Sequence, residues 1–352
     1  MNFRSAAVLI VLSLAVATAG CAALFGPSAE YPAIAPVGGT ASQVAADHML
    51  EFEGGVETVG ATIDSRVLAG ARAGEKAVLI RGDVPETEWV AGAYRAQVLD
   101  PAQGRFYDDL LARFREIRDR RGLDGDRYLE LMAAAVQQIP YVSAPGTAAK
   151  YPVETWADGS GDCDDKALLL AGLLEREGYR VALLVFLPES HMALGVGCPA
   201  GYEYGGSGYA YLEVTNSSYV GVVPDRLGDG SRLTSTPLVV PIGNGTTLYG
   251  AARETAAIEA ARQTARARVD ALGPEIDRRR SALETDRRRL ETLRSAGNRD
   301  AFDAAYSRYT TDAAACDRLV EEYNCAADLL NRTAPNRYDR AGAAAYVSTQ
   351  PL

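Results

Sequence analysis

One stretch of this chain has almost no choice of structure. From Phe302, the residues Tyr306, Tyr309, Ala313, Cys316, Val320, Tyr323, Ala327 and Leu330 follow one another at steps of four and three without a break. That is the a/d spacing of a helix that buries a narrow stripe against a second helix. Upstream, Leu272, Ile276, Leu283, Leu290 and Leu293 sit at related spacing, and Ala296-Gly297-Asn298 supplies turn residues between the two runs. The pattern predicts a long antiparallel α-hairpin or coiled coil over residues 250–333, packed on itself or associating with a partner. Pro274 is expected to kink or break its first arm. The arginine runs at 278–280 and 287–289 read as solvated faces paired with nearby acids. The simplest role for such a hairpin is a stalk or spacer without chemistry.

The other landmark of the chain is its front end. Arg4 is the only charge in residues 1–20, and the apolar run at 6–16 is too short to span a bilayer as a stable anchor. Thr18-Ala19-Gly20-Cys21 resembles the cleavage site of a lipoprotein signal peptide. The resemblance implies removal of residues 1–20, lipidation of Cys21 and an extracytoplasmic protein anchored to the membrane by lipid. An ordinary secretory signal or an uncleaved helix is the alternative. Residues 21–40, with Pro27, Pro32, Pro36 and Gly38-Gly39, read as a flexible tether.

The interior divides by texture. Residues 41–124 read as a mostly helical region, with helices expected near 41–52, 85–98 and 103–121, and a further helix near 126–138; residues 54–84 give no firm pattern. Phe106, Leu110, Leu111, Phe114 and Ile117 form the apolar stripe of the third helix, Gly122 its stop and Asp124 the next N-cap. From Tyr141 a Pro- and Gly-rich loop leads to a helix over 163–177, ended by Gly178, with Leu168, Leu169, Leu173 and Leu174 as its apolar face. Strand-like runs follow at 181–187, 192–196, 209–214 and 220–223. The fold class expected is α+β, a cysteine-bearing helix packed on an antiparallel sheet, over residues 125–245. Residues 334–352 read as a C-terminal tail.

Composition narrows the chemistry. With 46 acidic against 36 basic residues and a formal charge of -10, the chain lacks the basic character of a nucleic-acid-binding surface, so no nucleic-acid partner is expected. Only two histidines occur, His48 and His191, which excludes a His-rich metal site; no cofactor is called for. Behind Cys21 lie Cys163, Cys198, Cys316 and Cys325, with no C-x-x-C zinc pattern. Cys316 and Cys325 are nine residues apart, about 180° around a helix, and do not pair within one.

The informative stretch is Gly161-Asp162-Cys163-Asp164-Asp165-Lys166, opening an apolar helix. Helix-terminal amides and the helix dipole favour a thiolate and can support an oxyanion, whereas three aspartates oppose a further negative charge. A cationic partner is therefore wanted. His48 falls in a peripheral helix on this reading. His191, in Glu189-Ser190-His191-Met192, stands where a loop becomes a strand, and Glu213, the only acid in the next strand, is placed to hold its ring. Other readings of the same residues exist. Cys163 could be a buried structural thiol, a disulfide partner of Cys198 or a redox centre with it. The three aspartates could suggest Ca²⁺, although they lack the alternating EF-hand pattern; helix capping, or pairing with Lys166 or an arginine, is the plainer role. Cys198 reads as structural, and Trp156 as core or as a lid on the cleft.

Taken together, Gly161-Asp162-Cys163, His191-Met192-Ala193 and Glu213-Val214-Thr215 resemble the transglutaminase-like fold within the papain-like cysteine enzymes. That family has Gly-x-Cys opening a helix, a His starting a strand and an Asp on the following strand. Ile139-Pro140-Tyr141 and Tyr151-Pro152-Val153-Glu154-Thr155 are similar to an archaeal and bacterial subgroup, and the resemblance covers about residues 125–225. It implies a catalytic triad of Cys163, His191 and Glu213 acting on peptide or protein amides by hydrolysis or acyl transfer. Glu213 departs from the usual Asp, and no oxyanion-donor side chain is assignable. Some members of such families serve only in binding, so the other class is a peptide-binding or scaffolding surface lipoprotein built from the same domain and the hairpin.

Overall fold

The computed structural model describes residues 26–143 and 146–350. The expected signal segment and Cys21 lie outside the described residues. In chain order the elements are strands β1 (Ser28–Glu30), β2 (Gln43–Phe52) and β3 (Gly55–Asp64), helix α1 (Ser65–Ala73), strand β4 (Leu79–Arg81), and helices α2 (Glu86–Leu99), α3 (Gly104–Arg121), α4 (Gly125–Gln137), α5 (Pro152–Asp158) and α6 (Cys163–Arg176). Strands β5 (Val181–Phe186), β6 (His191–Gly197), β7 (Tyr209–Leu212) and β8 (Leu238–Ile242) follow, then helices α7 (Ala252–Ser295), α8 (Arg299–Arg332) and α9 (Arg340–Ser348). The fold is mixed α+β with antiparallel sheets and a long helical pair towards the C-terminus. It divides into two compact units: the described residues up to Thr255 with Pro335–Asp339, and Ala256–Ala334 with the residues from Arg340 onward.

The first unit is built around α6. Every residue from Asp165 to Leu174 is buried, so this helix is enclosed on all sides rather than carrying the single apolar face expected. The antiparallel sheet, in the order β7-β6-β5-β8, covers one side of it, and α2, α4 and α5 pack on the rest. Strands β5 and β6 are buried along their whole length, which is why their sequences run apolar without alternation. Pro241 is accommodated because β8 is an edge strand, where a missing amide leaves no broken ladder. Helix α3 buries Phe106, Leu110, Leu111, Phe114 and Ile117 as the spacing predicts, and Gly122 ends it at a left-handed φ of 61°.

Three expectations need correction, and one unplaced stretch is filled in. The 41–52 segment is a strand, not a helix: β2 pairs with β3 along ten residues through a two-residue turn at Glu53 and Gly54, both left-handed. Ala46, Leu50 and Phe52 face inward, while Asp47, Met49 and Glu51 face out. The unplaced stretch 54–84 supplies β3, α1 and β4. No strand forms at 220–223, whereas β8 at 238–242 was not expected. Finally, the tether is tied down from Ser28, where β1 pairs with β4, and Ile34 donates its amide to Asp100 Oδ2 at 2.7 Å.

In the second unit α7 runs unbroken through Pro274. It pairs with α8 in antiparallel register: Arg262 Nη1 donates to the carbonyls of Leu330 (3.2 Å) and Thr333 (2.7 Å), and Gly273 lies beside Tyr323. Ile276, Leu290, Cys316 and Leu329 are buried in the pair. Most other seam residues stay half-buried, and Tyr306 is exposed, stacked on Phe302 at 5.9 Å. Arg278 and Arg279 pair with Glu275, and Arg287 and Arg288 with Glu284, on solvated faces. Within the expected tail, 335–339 belongs to the first unit and α9 to the second.

Candidate active site

Helix α6 starts at Cys163 because Asp162 and Asp165 cap one another's amides in a capping box, and Asp164 Oδ1 also accepts from the Asp165 amide at 2.9 Å. Asp165 Oδ1 further accepts the Lys150 amide at 2.6 Å, tying the preceding loop to the helix. Gly161 is required by contact: a Cβ there would fall 2.7 Å from the Asp165 Cβ and 3.2 Å from Thr155 Cγ2. Two backbone bonds, Val142 N to Gly161 O and Gly161 N to Pro140 O, hold the chain entering the helix alongside 140–142. Cys163 is thus presented half-buried on a fixed helix end.

His191 opens β6 from a turn whose last residue, Ser190, is left-handed at φ 50°. The turn is clamped by Glu189, whose carboxylate accepts from the amides and hydroxyls of Thr234 and Ser235. These bonds hold the Glu189 carboxyl down at about 2 against the opposing effect of desolvation. Glu213 sits just beyond the end of β7, not within the strand, and its position there is useful. Oε1 accepts from Val214 N (3.0 Å), Thr215 N (2.9 Å) and Thr215 Oγ1 (2.6 Å), and Oε2 lies 3.3 Å from His191 Nε2. Burial pushes this carboxyl up, but His191 and Thr215 more than offset it and hold it at about 2. An ionised carboxylate only accepts, so Nε2 carries the proton in neutral His191 and Nδ1 holds the basic lone pair.

Cys163 and His191 line one cleft of about 510 Å³, together with Tyr141, Glu189, Thr215 and Asp229. A smaller pocket of about 40 Å³, bordered by Tyr94, Asp164 and Met192, shares both residues. No lysine or arginine lines either among the described residues. The sequence argument that the helix end favours a thiolate is reversed by the surroundings. Burial pushes the Cys163 thiol up to about 12, the charge of Asp164 adds to this, and a backbone bond with Met192 only partly opposes it. Asp164 itself is held well above the ordinary carboxyl range, first by burial and then by its hydrogen bond with Asp162. Asp162, Asp164 and Asp165 bring carboxylate oxygens within 4.8 Å of one another, and the bonds above show them acting as helix caps.

Two other contributors lay hidden in the sequence. Lys166 does not pair with the aspartates: its ammonium is fully buried and donates to the carbonyls of Gln137 (3.2 Å) and Ile139 (2.8 Å). Burial lowers it to about 8, against the attraction of Glu213. Gln137 in turn donates to the Glu213 carbonyl at 2.8 Å, fixing the chain that carries the acid. Tyr211 places its hydroxyl 2.7 Å from Glu213 Oε2 and 3.2 Å from His191 Nε2. Its spacing of two from Glu213 along an extended chain was the available signal.

The remaining candidates take structural places. His48 lies on β2, edge-on to Trp156 at 4.5 Å, with Nε2 2.8 Å from the Trp156 carbonyl. Trp156 is fully buried and donates to the Ala46 carbonyl, which makes it core rather than lid. Cys163, Cys198, Cys316 and Cys325 are all free thiols, and Cys198 is buried. No protein-family model, no curated protein and no solved structure matches the chain.

Proposed function

We propose that the first unit is a transglutaminase-like cysteine enzyme that transfers acyl groups from, or hydrolyses, peptide or protein amides. One observation carries this: the half-buried thiol that opens α6 and the histidine that opens β6 line a common cleft, with Glu213 behind the histidine at 3.3 Å. In this reaction Cys163 Sγ attacks the amide carbonyl as its proton passes to His191 Nδ1. The imidazolium, held by Glu213, returns the proton to the leaving amine, and an acyl-enzyme forms. Water or a second amine then attacks the thioester carbonyl, and Cys163 leaves with its proton restored. Because the surroundings favour the thiol, proton removal accompanies attack rather than preceding it.

In this proposal the lipobox-like Cys21 carries a lipid anchor and the enzyme works outside the cytoplasm; no helix among the described residues is long and apolar enough to cross a membrane. The strong bias of Cys163 towards the neutral thiol favours a second reading, a peptide-binding surface lipoprotein that uses the same cleft without turnover. Labelling with a panel of thiol-directed peptide probes separates the two. The enzyme reading expects labelling of the wild type that is lost in Cys163→Ala. Equal labelling of both proteins, or none in either, supports the binding reading.

A further inference from the structure

The hold on His191 is not Glu213's alone. Tyr211 and Glu213 reach the same side of the imidazole from positions two apart, and the three polar atoms form a triangle. Tyr211 Oη lies 2.7 Å from Glu213 Oε2 and 3.2 Å from His191 Nε2, and Oε2 lies 3.3 Å from Nε2. The shortest edge is the hydroxyl donating to the carboxylate. With its proton so placed, the phenol oxygen has only lone pairs to offer Nε2–H. The imidazole N–H is therefore shared between two oxygens. Each contact is long for an N–H···O bond, whose usual length is about 2.9–3.0 Å, but the two come from different directions. A flipped ring would present carbon to both.

The phenol is itself immobilised. Tyr211 is buried, with its ring packed against Tyr204 at 5.6 Å and Phe186 at 6.4 Å, and Phe186 also flanks His191 at 6.3 Å. The register that pairs Gly195 of β6 with Tyr211 of β7 sets its height beside the histidine strand. Oε1 of Glu213 is already occupied by three donors, so Oε2 is the only oxygen left for His191, and Tyr211 shares it.

We propose that Tyr211 is a positioning residue of the cysteine site, whose hydroxyl bridges Glu213 to His191 and fixes the imidazole with its proton on Nε2 and its lone pair on Nδ1. The role in catalysis rests on the reading of Cys163 and His191 given above; the geometry of the bridge does not. Tyr211→Phe removes one oxygen and keeps the ring. Glu213 Oε2 then loses the hydroxyl that holds it beside the imidazole, and Nε2–H loses one of its two acceptors. With both holds weakened, the ring is free to sample the Nδ1–H tautomer. The other titratable groups around His191 are Cys163 and Asp164 from α6, Tyr94 from α2, Tyr141, Tyr204, and Glu189 and Asp229 across the cleft. All remain in the variant, so they cancel in the comparison.

With two histidines in the chain, nitrogen-detected NMR of the imidazoles reads His191 directly once His48→Gln has assigned the other ring. The expected result is an Nε2–H tautomer in the wild type, and in Tyr211→Phe a mixed tautomer population. If the cysteine reaction operates, kcat should fall about tenfold, with KM within about twofold. An Nδ1–H tautomer in the wild type, or a His191 tautomer unchanged in a folded Tyr211→Phe, overturns the proposal. A Tyr211-dependent His191 in a protein without Cys163-dependent turnover supports the bridge and counts against the enzyme reading instead.

Discussion

Replacing Glu213 with glutamine probes the site more sharply than deleting it. The three donors on Oε1, from Val214, Thr215 and the Thr215 hydroxyl, dictate that the glutamine carbonyl takes that place. Its NH2 then occupies the Oε2 position, facing His191 Nε2 and the Tyr211 hydroxyl. Two donors cannot share that contact, so His191 must move its proton to Nδ1, the nitrogen needed as base. A tautomer error of this kind lowers kcat by about 10⁴-fold in the serine-protease triad, and a fall of at least about 10³-fold is expected here by that analogy. Stability provides an independent check. The Glu213 carboxyl is held at about 2, below its ordinary 4.5, so its ionised form stabilises the fold by on the order of 3 kcal/mol. That contribution is fully present above pH 4.5 and is lost as pH falls towards 2. Urea unfolding of wild type and Glu213→Gln across this range should show a stability gap at pH 7 that closes in acid. A variant that keeps activity within about threefold of wild type, or a gap that persists unchanged at low pH, would refute the reasoning.

Three further outcomes follow from the site's surroundings. Alkylation of Cys163 by iodoacetamide should rise about tenfold per pH unit from neutral pH to beyond 10, because the thiol is held near 12; a plateau reaching down to pH 5 would mean a preformed thiolate. Gly161→Ala should cost roughly 1–3 kcal/mol in denaturant unfolding and slow Cys163 labelling, since the new methyl meets Asp165 and Thr155; full retention of both would show that the loop yields freely. Finally, Glu189 and Asp229 line a cleft in which no lysine or arginine stands among the described residues. A peptide amide with lysine beside the reacting bond should outpace its glutamate analogue by about tenfold at low ionic strength, with the ratio shrinking in about 1 M salt. A salt-independent ratio near one would remove electrostatics from substrate choice.

The sequence made the candidate site's residues legible because their signals are local. A capped helix start, a histidine at a strand entrance and an acid just past the next strand each leave a mark within a few residues. The amphipathic stripes of α3 and α8 were legible for the same reason. What escaped were effects of enclosure. Strand β2 is written in alanines and other helix formers, and only the alternation Val44, Ala46, His48, Leu50 and Phe52, read together with β3, shows a strand. Lys166 looks like a surface partner for its neighbouring aspartates until α6 is wrapped on every side and two α4-end carbonyls become its acceptors. The Cys163 thiol shows the same effect in its energetics: dipole arguments from the helix start point one way, and burial with Asp164 reverses them. Tyr211 was written two residues from Glu213, but its meaning depends on a side-chain reach from β7 to His191 at the start of β6.

The proposed reaction requires Cys163 to form an acyl bond with the help of His191. Intact-mass measurement after brief incubation with an activated peptide ester or amide tests it most directly, comparing wild type, Cys163→Ala and His191→Ala. The proposed reaction gives one added acyl mass on the wild type, mapped to Cys163 by peptide digestion and discharged by an amine or water. It gives none on Cys163→Ala and a strongly slowed adduct on His191→Ala. An adduct that maps to another residue, or that forms equally fast without His191, would contradict it.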